Sequence, residues 1–139
     1  MIPSCCCGGA PSGVTCGSYT IPARNLTLTY APGTKTPNTA TLTFDGVHTW
    51  QVTCYTYVFS GSNYSEKDLL TCNSGVLYFK DTLYSAGNTT CFGFGTCADT
   101  NGTAPCSNSY VFKNYVASPF KIEVWTNPGG GNFIVWTLT

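Results

Sequence analysis

The sequence predicts an all-β protein, an antiparallel β-sandwich or jelly roll rich in disulfides, and three observations carry that reading. Short segments such as NLTLTY and TATLTF alternate apolar residues with threonine, the period of a half-buried strand. No segment of useful length repeats apolar residues at i, i+3, i+4 and i+7, and the Thr, Val and Tyr content disfavours helices. Nine cysteines in 139 residues supply covalent staples.

Residues 1–24 are rich in Cys, Gly, Ser and Pro without periodicity and read as an N-terminal arm or cap tied down by cysteines, ahead of a β-domain at 25–139. The first strand places Leu26, Leu28 and Tyr30 on one face. APGTKTPN (31–38) is a turn-rich connection. In TATLTF, Ala40, Leu42 and Phe44 share a face, and Asp45-Gly46 signals a hairpin. The return strand HTWQVTCYTYVF (48–59) is aromatic and β-branched. A tight two-residue turn would set Leu42 opposite Thr49, whereas a longer loop would set other partners. SGSNYSEKD (60–68), with Glu66, Lys67 and Asp68, reads as a solvated loop. LLTCNSGVLYFKDTLYS gives two short strands broken at Asn73-Ser74-Gly75. Residues 87–109 read as a long loop stapled by cysteines, and YVFKNYV, SPFKIEVWT and NFIVWTLT close the chain, the last two joined by a NPGGG turn.

Composition excludes several classes. Only 9% of residues are charged, against roughly 25% in an ordinary soluble protein. The formal net charge is zero, so no basic surface exists to neutralise phosphates, and a nucleic-acid partner is not expected. No run approaches the ~20 apolar residues of a membrane-spanning helix, and no membrane partner is expected. Few charges mean little repulsion between copies, which suits an assembly.

The cysteines are Cys5, Cys6, Cys7, Cys16, Cys54, Cys72, Cys91, Cys97 and Cys106. Their odd number leaves at least one outside intrachain pairing. None of their spacings matches the Cys-x2-Cys pairs of structural zinc sites, so disulfides are expected and no metal or cofactor. Adjacent cysteines pair poorly with one another, so Cys5, Cys6 and Cys7 are expected to reach different partners, in their own domain or in a neighbouring subunit.

No catalytic residue is expected. His48, the single histidine, follows a turn and points to solvent, and no serine sits in a nucleophile elbow. Among the acids, Asp45 belongs to a turn, Glu66 and Asp68 to a loop and Asp99 to ADTNG, which leaves Asp81 and Glu123 without a visible partner for glycosidase-type chemistry. The aromatic residues, 14% of the chain, are mostly core. Trp125 shares an alternating face with Lys121 and Glu123, opposite Phe120, Ile122 and Val124. With Trp50 it is the candidate for an interface or glycan contact. Asn25, Asn63, Asn88 and Asn101 begin Asn-x-Ser/Thr patterns of the kind chance supplies in so Thr-rich a chain.

The order MIPSCCCGG, LTLTY, TLTFDG followed by a Trp, LLTCNSGVLYF, ASPFKIEVW and IVWTLT resembles small cysteine-rich β-modules of tailed-phage virion proteins, associated with tails and baseplates. The three-cysteine cluster, in place of a pair, and the lack of a cysteine after Cys106 depart from that pattern. The resemblance implies a non-enzymatic structural component of a tail, baseplate or fibre, partnered by copies of itself and other virion proteins. It would be assembled in the host cytoplasm without an export signal and oxidised once outside. A capsid decoration protein and a carbohydrate-binding adhesin that contacts a host-surface glycan are the alternatives.

Overall fold

A computed structural model describes residues 13–31, 34–99, 108–126 and 135–139. The strands are β1 (Gly13–Cys16), β2 (Tyr19–Pro22), β3 (Leu26–Tyr30), β4 (Thr39–Phe44), β5 (Thr49–Phe59), β6 (Ser62–Asn73), β7 (Val76–Tyr84), β8 (Gly95–Asp99), β9 (Asn108–Val116), β10 (Lys121–Thr126) and β11 (Val135–Leu138). Among the described residues there is no helix. The chain is all-β, and its pairing is antiparallel except between β8 and β9.

Strands β3 to β11 form a closed ring in the order β10-β11-β3-β4-β5-β6-β7-β8-β9, and β1 and β2 make a separate hairpin. Two joins in the ring are short. β4 meets β5 only at Thr43↔Gln51 and Phe44↔Trp50, and β8 meets β9 only at Ala98↔Asn108 and Asp99↔Ser109. The ring is therefore two layers stitched at their seams, the barrel counterpart of the sandwich that alternating strands predict.

The alternation in β3 and β4 is realised as read: Leu26, Leu28, Tyr30 and Leu42 are buried and their threonine neighbours line the other face. Phe44 stacks on Trp50, with ring centroids 5.0 Å apart. The hairpin after β4 is not tight. Asp45 Oδ1 accepts the backbone N–H groups of Val47, His48 and Thr49, and this turn sets Phe44 opposite Trp50. The tight turns lie elsewhere. Ser60-Gly61 and Ser74-Gly75 have positive φ at both positions, as a two-residue type I′ connection requires, and they lock β5 to β6 and β6 to β7.

Two expectations are corrected. Residues 60–68 are not a solvated loop, because Ser62–Asn73 is one long strand paired on both edges. Residues 87–109 include β8, which pairs with β7. Within residues 1–24, Cys16 and Ile21 of the β1–β2 hairpin are buried in the core, and Cys16 is bonded to Cys72. Cys54 is bonded to Cys91, and Cys97 is also in a disulfide. Cys5, Cys6, Cys7, Cys106 and the NPGGG turn lie outside the described residues.

The position of the interior site depends on a bulge in β5. Val52 faces Asp68 and Tyr55 faces Glu66, so three steps on β5 match two on β6. The extra residue reverses the phase of the strand. Trp50 faces the core before it, and Tyr55 and Tyr57 face the core after it. The Cys16–Cys72 bond closes a sequence separation of 56 and joins the hairpin to the ring. Replacing both cysteines by serine is expected to lower unfolding stability by roughly 4 kcal/mol, measured as the shift in denaturant midpoint against wild type.

Candidate functional site

Inside the ring, β6 turns Glu66, Asp68 and Leu70 inward, and β7 turns Phe79 and Asp81 inward. Asp68 stands directly across from Asp81. All three acids are buried, and one oxygen from each lies within 4.8 Å of the others. The single cation among them is Lys35, which comes from the β3–β4 connection. That connection is fixed by paired hydrogen bonds between Thr36 and Val58 and by the Tyr55 hydroxyl, which donates to the Pro37 carbonyl. Lys35 is 6% exposed, and its Nζ donates to Glu66 Oε1 at 2.5 Å.

Aromatic rings enclose the ammonium. Nζ lies 4.0 Å from the Tyr30 ring centre, 4.1 Å from Tyr57 and 4.1 Å from Trp136. Cation–π attraction of this kind strengthens where water is excluded. The remaining acids are poorly served. Asp81 Oδ2 accepts the Tyr110 hydroxyl at 2.9 Å, but Asp81 Oδ1, Glu66 Oε2 and both oxygens of Asp68 meet no hydrogen-bond donor. A buried carboxylate without donors is unfavourable, and this favours the protonated form of Asp68 and Asp81. Burial, then the neighbouring Glu66 and Asp81 charges, pushes Asp68 well above the usual carboxylate range. Burial and Glu66 do the same to Asp81. Burial, reinforced by the acids, raises Tyr30 to about 12 and pushes Tyr55, Tyr57 and Tyr110 further up.

Beside the cluster lies a cavity of about 240 Å³, walled by Tyr30, Tyr57, Tyr64, Tyr84, Tyr110 and Trp136, with Lys35 and Asp81 at its polar side and Phe59 and Leu83 at its partly exposed rim. Three carboxylates so close could hold a divalent cation, but the Lys35 ammonium already occupies the position that charge balance assigns to one. A second cation would be repelled by it at short range.

The residues singled out from sequence fall elsewhere. Trp50 is fully buried, and its indole N–H donates to the Pro22 and Arg24 carbonyls, so it is a core residue and no surface contact. Trp125 is half-buried on the outer face of β10, as its alternation predicts. Its N–H donates to Glu123 Oε1 at 2.8 Å, and Lys113 Nζ lies 4.7 Å from its ring. Asn114 and Lys121 complete the partners of Glu123. His48 is exposed. Glu66 and Asp68 are the main correction, since they form the interior cluster, and Asp81 finds its partners there. Lys35 carried no sequence signal. The acids carried one: Tyr64, Glu66, Asp68 and Leu70 keep strand period in a segment whose charge suggests a loop.

No family model matches the chain, and no significant similarity connects it to a curated protein or to a solved structure.

The raised acids set the pH dependence of stability. A carboxyl that is more basic folded than unfolded stabilises the fold fully below its unfolded value near 4, and that contribution is lost as pH rises through the folded value. Asp45 and Glu123, held low by hydrogen bonds, work in the opposite sense, but only below about pH 4. Between pH 7 and 5 the melting temperature is therefore expected to rise on acidification, as unfolding stability gains up to about 1.4 kcal/mol per pH unit for each of Asp68 and Asp81. Asp68→Asn flattens that slope. Thermal unfolding by circular dichroism across this range checks it, and a wild-type melting temperature that falls from pH 7 to 5 would contradict it.

Proposed function

We propose that this chain is a non-enzymatic structural module that works by assembly, a component of a tailed-phage tail, baseplate or fibre. The observation that carries the reading is a pair of exposed phenylalanines on a braced loop. Phe92 is 81% exposed and Phe94 96% exposed, just before β8. Their loop is anchored by the Cys54–Cys91 bond. Ser65 Oγ donates to the Asn88 carbonyl and accepts the Cys91 N–H, and the Asn88 amide donates to the Phe92 carbonyl. Large rings held out to water by a stiff loop lose little conformational freedom when a partner covers them. The low charge of the chain places few repulsive groups around such a contact.

Virion assembly in the host cytoplasm followed by oxidation outside would give a cysteine-rich chain its disulfides. A capsid decoration protein would use the same contacts in another place. The adhesin reading has weaker support, because the Trp125 ring is flanked by Lys113 and its N–H is engaged by Glu123.

Sedimentation velocity on the oxidised protein tests the proposal. Wild type is expected to self-associate at micromolar to tens-of-micromolar concentration, and Phe92→Ser with Phe94→Ser to weaken association at least tenfold without altering the circular dichroism. A monomer at every concentration that is also absent from purified particles, or specific glycan binding lost on Trp125→Ala, would overturn it.

A further inference from the structure

We propose that Lys35 and Glu66 become joined by an isopeptide bond inside the barrel, formed by the protein without any added factor. The two groups already stand as nucleophile and electrophile. Lys35 Nζ is 2.5 Å from Glu66 Oε1, so the carboxyl carbon lies one bond beyond the contact, within the range of near-attack geometry. Both side chains are held, Glu66 by a strand paired on both edges and Lys35 by the Thr36–Val58 bridge and by its aromatic enclosure. This inference is independent of the assembly reading, since the bond would form within a single chain.

The chemistry balances without a co-reactant. The proton on the Lys35 ammonium passes to the Glu66 carboxylate across their hydrogen bond, leaving a neutral amine and a carboxylic acid. The amine lone pair then attacks Glu66 Cδ and forms the C–N bond of a tetrahedral intermediate. The amine gives up a second proton, one C–O bond breaks, and its oxygen leaves as water, so the products are one secondary amide and one water. Asp68 and Asp81 are the proton carriers. Their oxygens lie within 4.8 Å of Glu66, and Asp68 has no competing donor. A protonated carboxyl there can donate to the developing oxyanion and accept the proton released by nitrogen, ending as it began. The adjacent cavity reaches Lys35 and opens at the rim of the barrel, which gives the water a way out.

The environment favours the product. The reactants are a buried ion pair and the amide is neutral, so the bond removes two charges from a dry interior where charge is unfavourable. The aromatic wall that excludes bulk water also shields the amide from hydrolysis.

Intact mass of the full-length chain, fully reduced and alkylated in denaturant, decides the matter. The expected mass is 18 Da below that of the sequence. Trypsin should then fail to cut after Lys35 and release residues 25–67 as a single peptide 18 Da light, with no fragment ions between 35 and 66. Lys35→Arg should restore the full mass. Asp68→Asn should slow the mass loss at least tenfold after refolding while the folded circular dichroism is retained. A wild-type chain at full mass that yields separate 25–35 and 36–67 peptides overturns the proposal, whether or not either variant folds. A deficit that persists in Lys35→Arg, or that maps to another segment, also overturns it.

Discussion

The contact between Lys35 and Glu66 is the constraint around which the interior is arranged. Three acids converge from two adjacent strands, and a single ammonium reaches them. Were all three ionised, the interior would carry two uncompensated negative charges where charge is least tolerated. The protonation of Asp68 and Asp81 removes that excess and leaves one balanced pair. The aromatic rings then have a defined task. Tyr30, Tyr57 and Trp136 turn their faces to the ammonium, and Tyr110 gives its hydroxyl to Asp81. A leucine in place of any of these rings would fill space but present neither a π face nor a donor.

That arrangement needs strands held in one register, and the register comes from small local devices. Two Ser-Gly turns with positive φ fix β6 against β5 and β7, which sets Asp68 across from Asp81. A slip of one residue would turn Glu66 and Asp68 to solvent and Lys67 inward. The bulge in β5 contributes the rest. It lets one strand put Trp50 into the apolar half of the core and Tyr55 and Tyr57 into the polar half. The disulfides secure the same strands, Cys72 near the end of β6 to the N-terminal hairpin and Cys54 in the middle of β5 to the loop that carries Phe92.

The fold class was legible because most strands carry their apolar residues at period two with one face buried. In β3, β4 and β10 the buried face is the one that the alternation indicates. Reading failed where charge and hydrophobicity part. The SEKD stretch looks solvated, yet its acids lie on the inward face and only Lys67 is exposed. Composition reports how polar a side chain is, not which partners meet it across 31 residues of chain, and it is Lys35 that makes Glu66 tolerable inside. Trp50 misled in the same way. Its indole N–H is satisfied by two backbone carbonyls, of Pro22 at the end of β2 and Arg24 just beyond it, which no local pattern announces. Ring closure was equally out of reach, since it rests on two seams of two residue pairs each.

Economy of charge gives the interior cluster further significance. The chain has only twelve Lys, Arg, Asp and Glu residues, and four of them, Lys35, Glu66, Asp68 and Asp81, are buried together. A protein whose stability depended only on apolar burial would do better with those charges on its surface, where they oppose aggregation, and with hydrophobic groups of similar volume inside. This chain does the reverse. Its outer surface relies on threonine, asparagine and glycine and leaves Phe92 and Phe94 almost fully exposed, while a third of its charge is buried together in the interior. Apolar packing does not account for that distribution, whereas the proposed bond between Lys35 and Glu66, with Asp68 and Asp81 as proton carriers, would. The sparsely charged exterior that results would place little like-charge repulsion in the way of the proposed assembly.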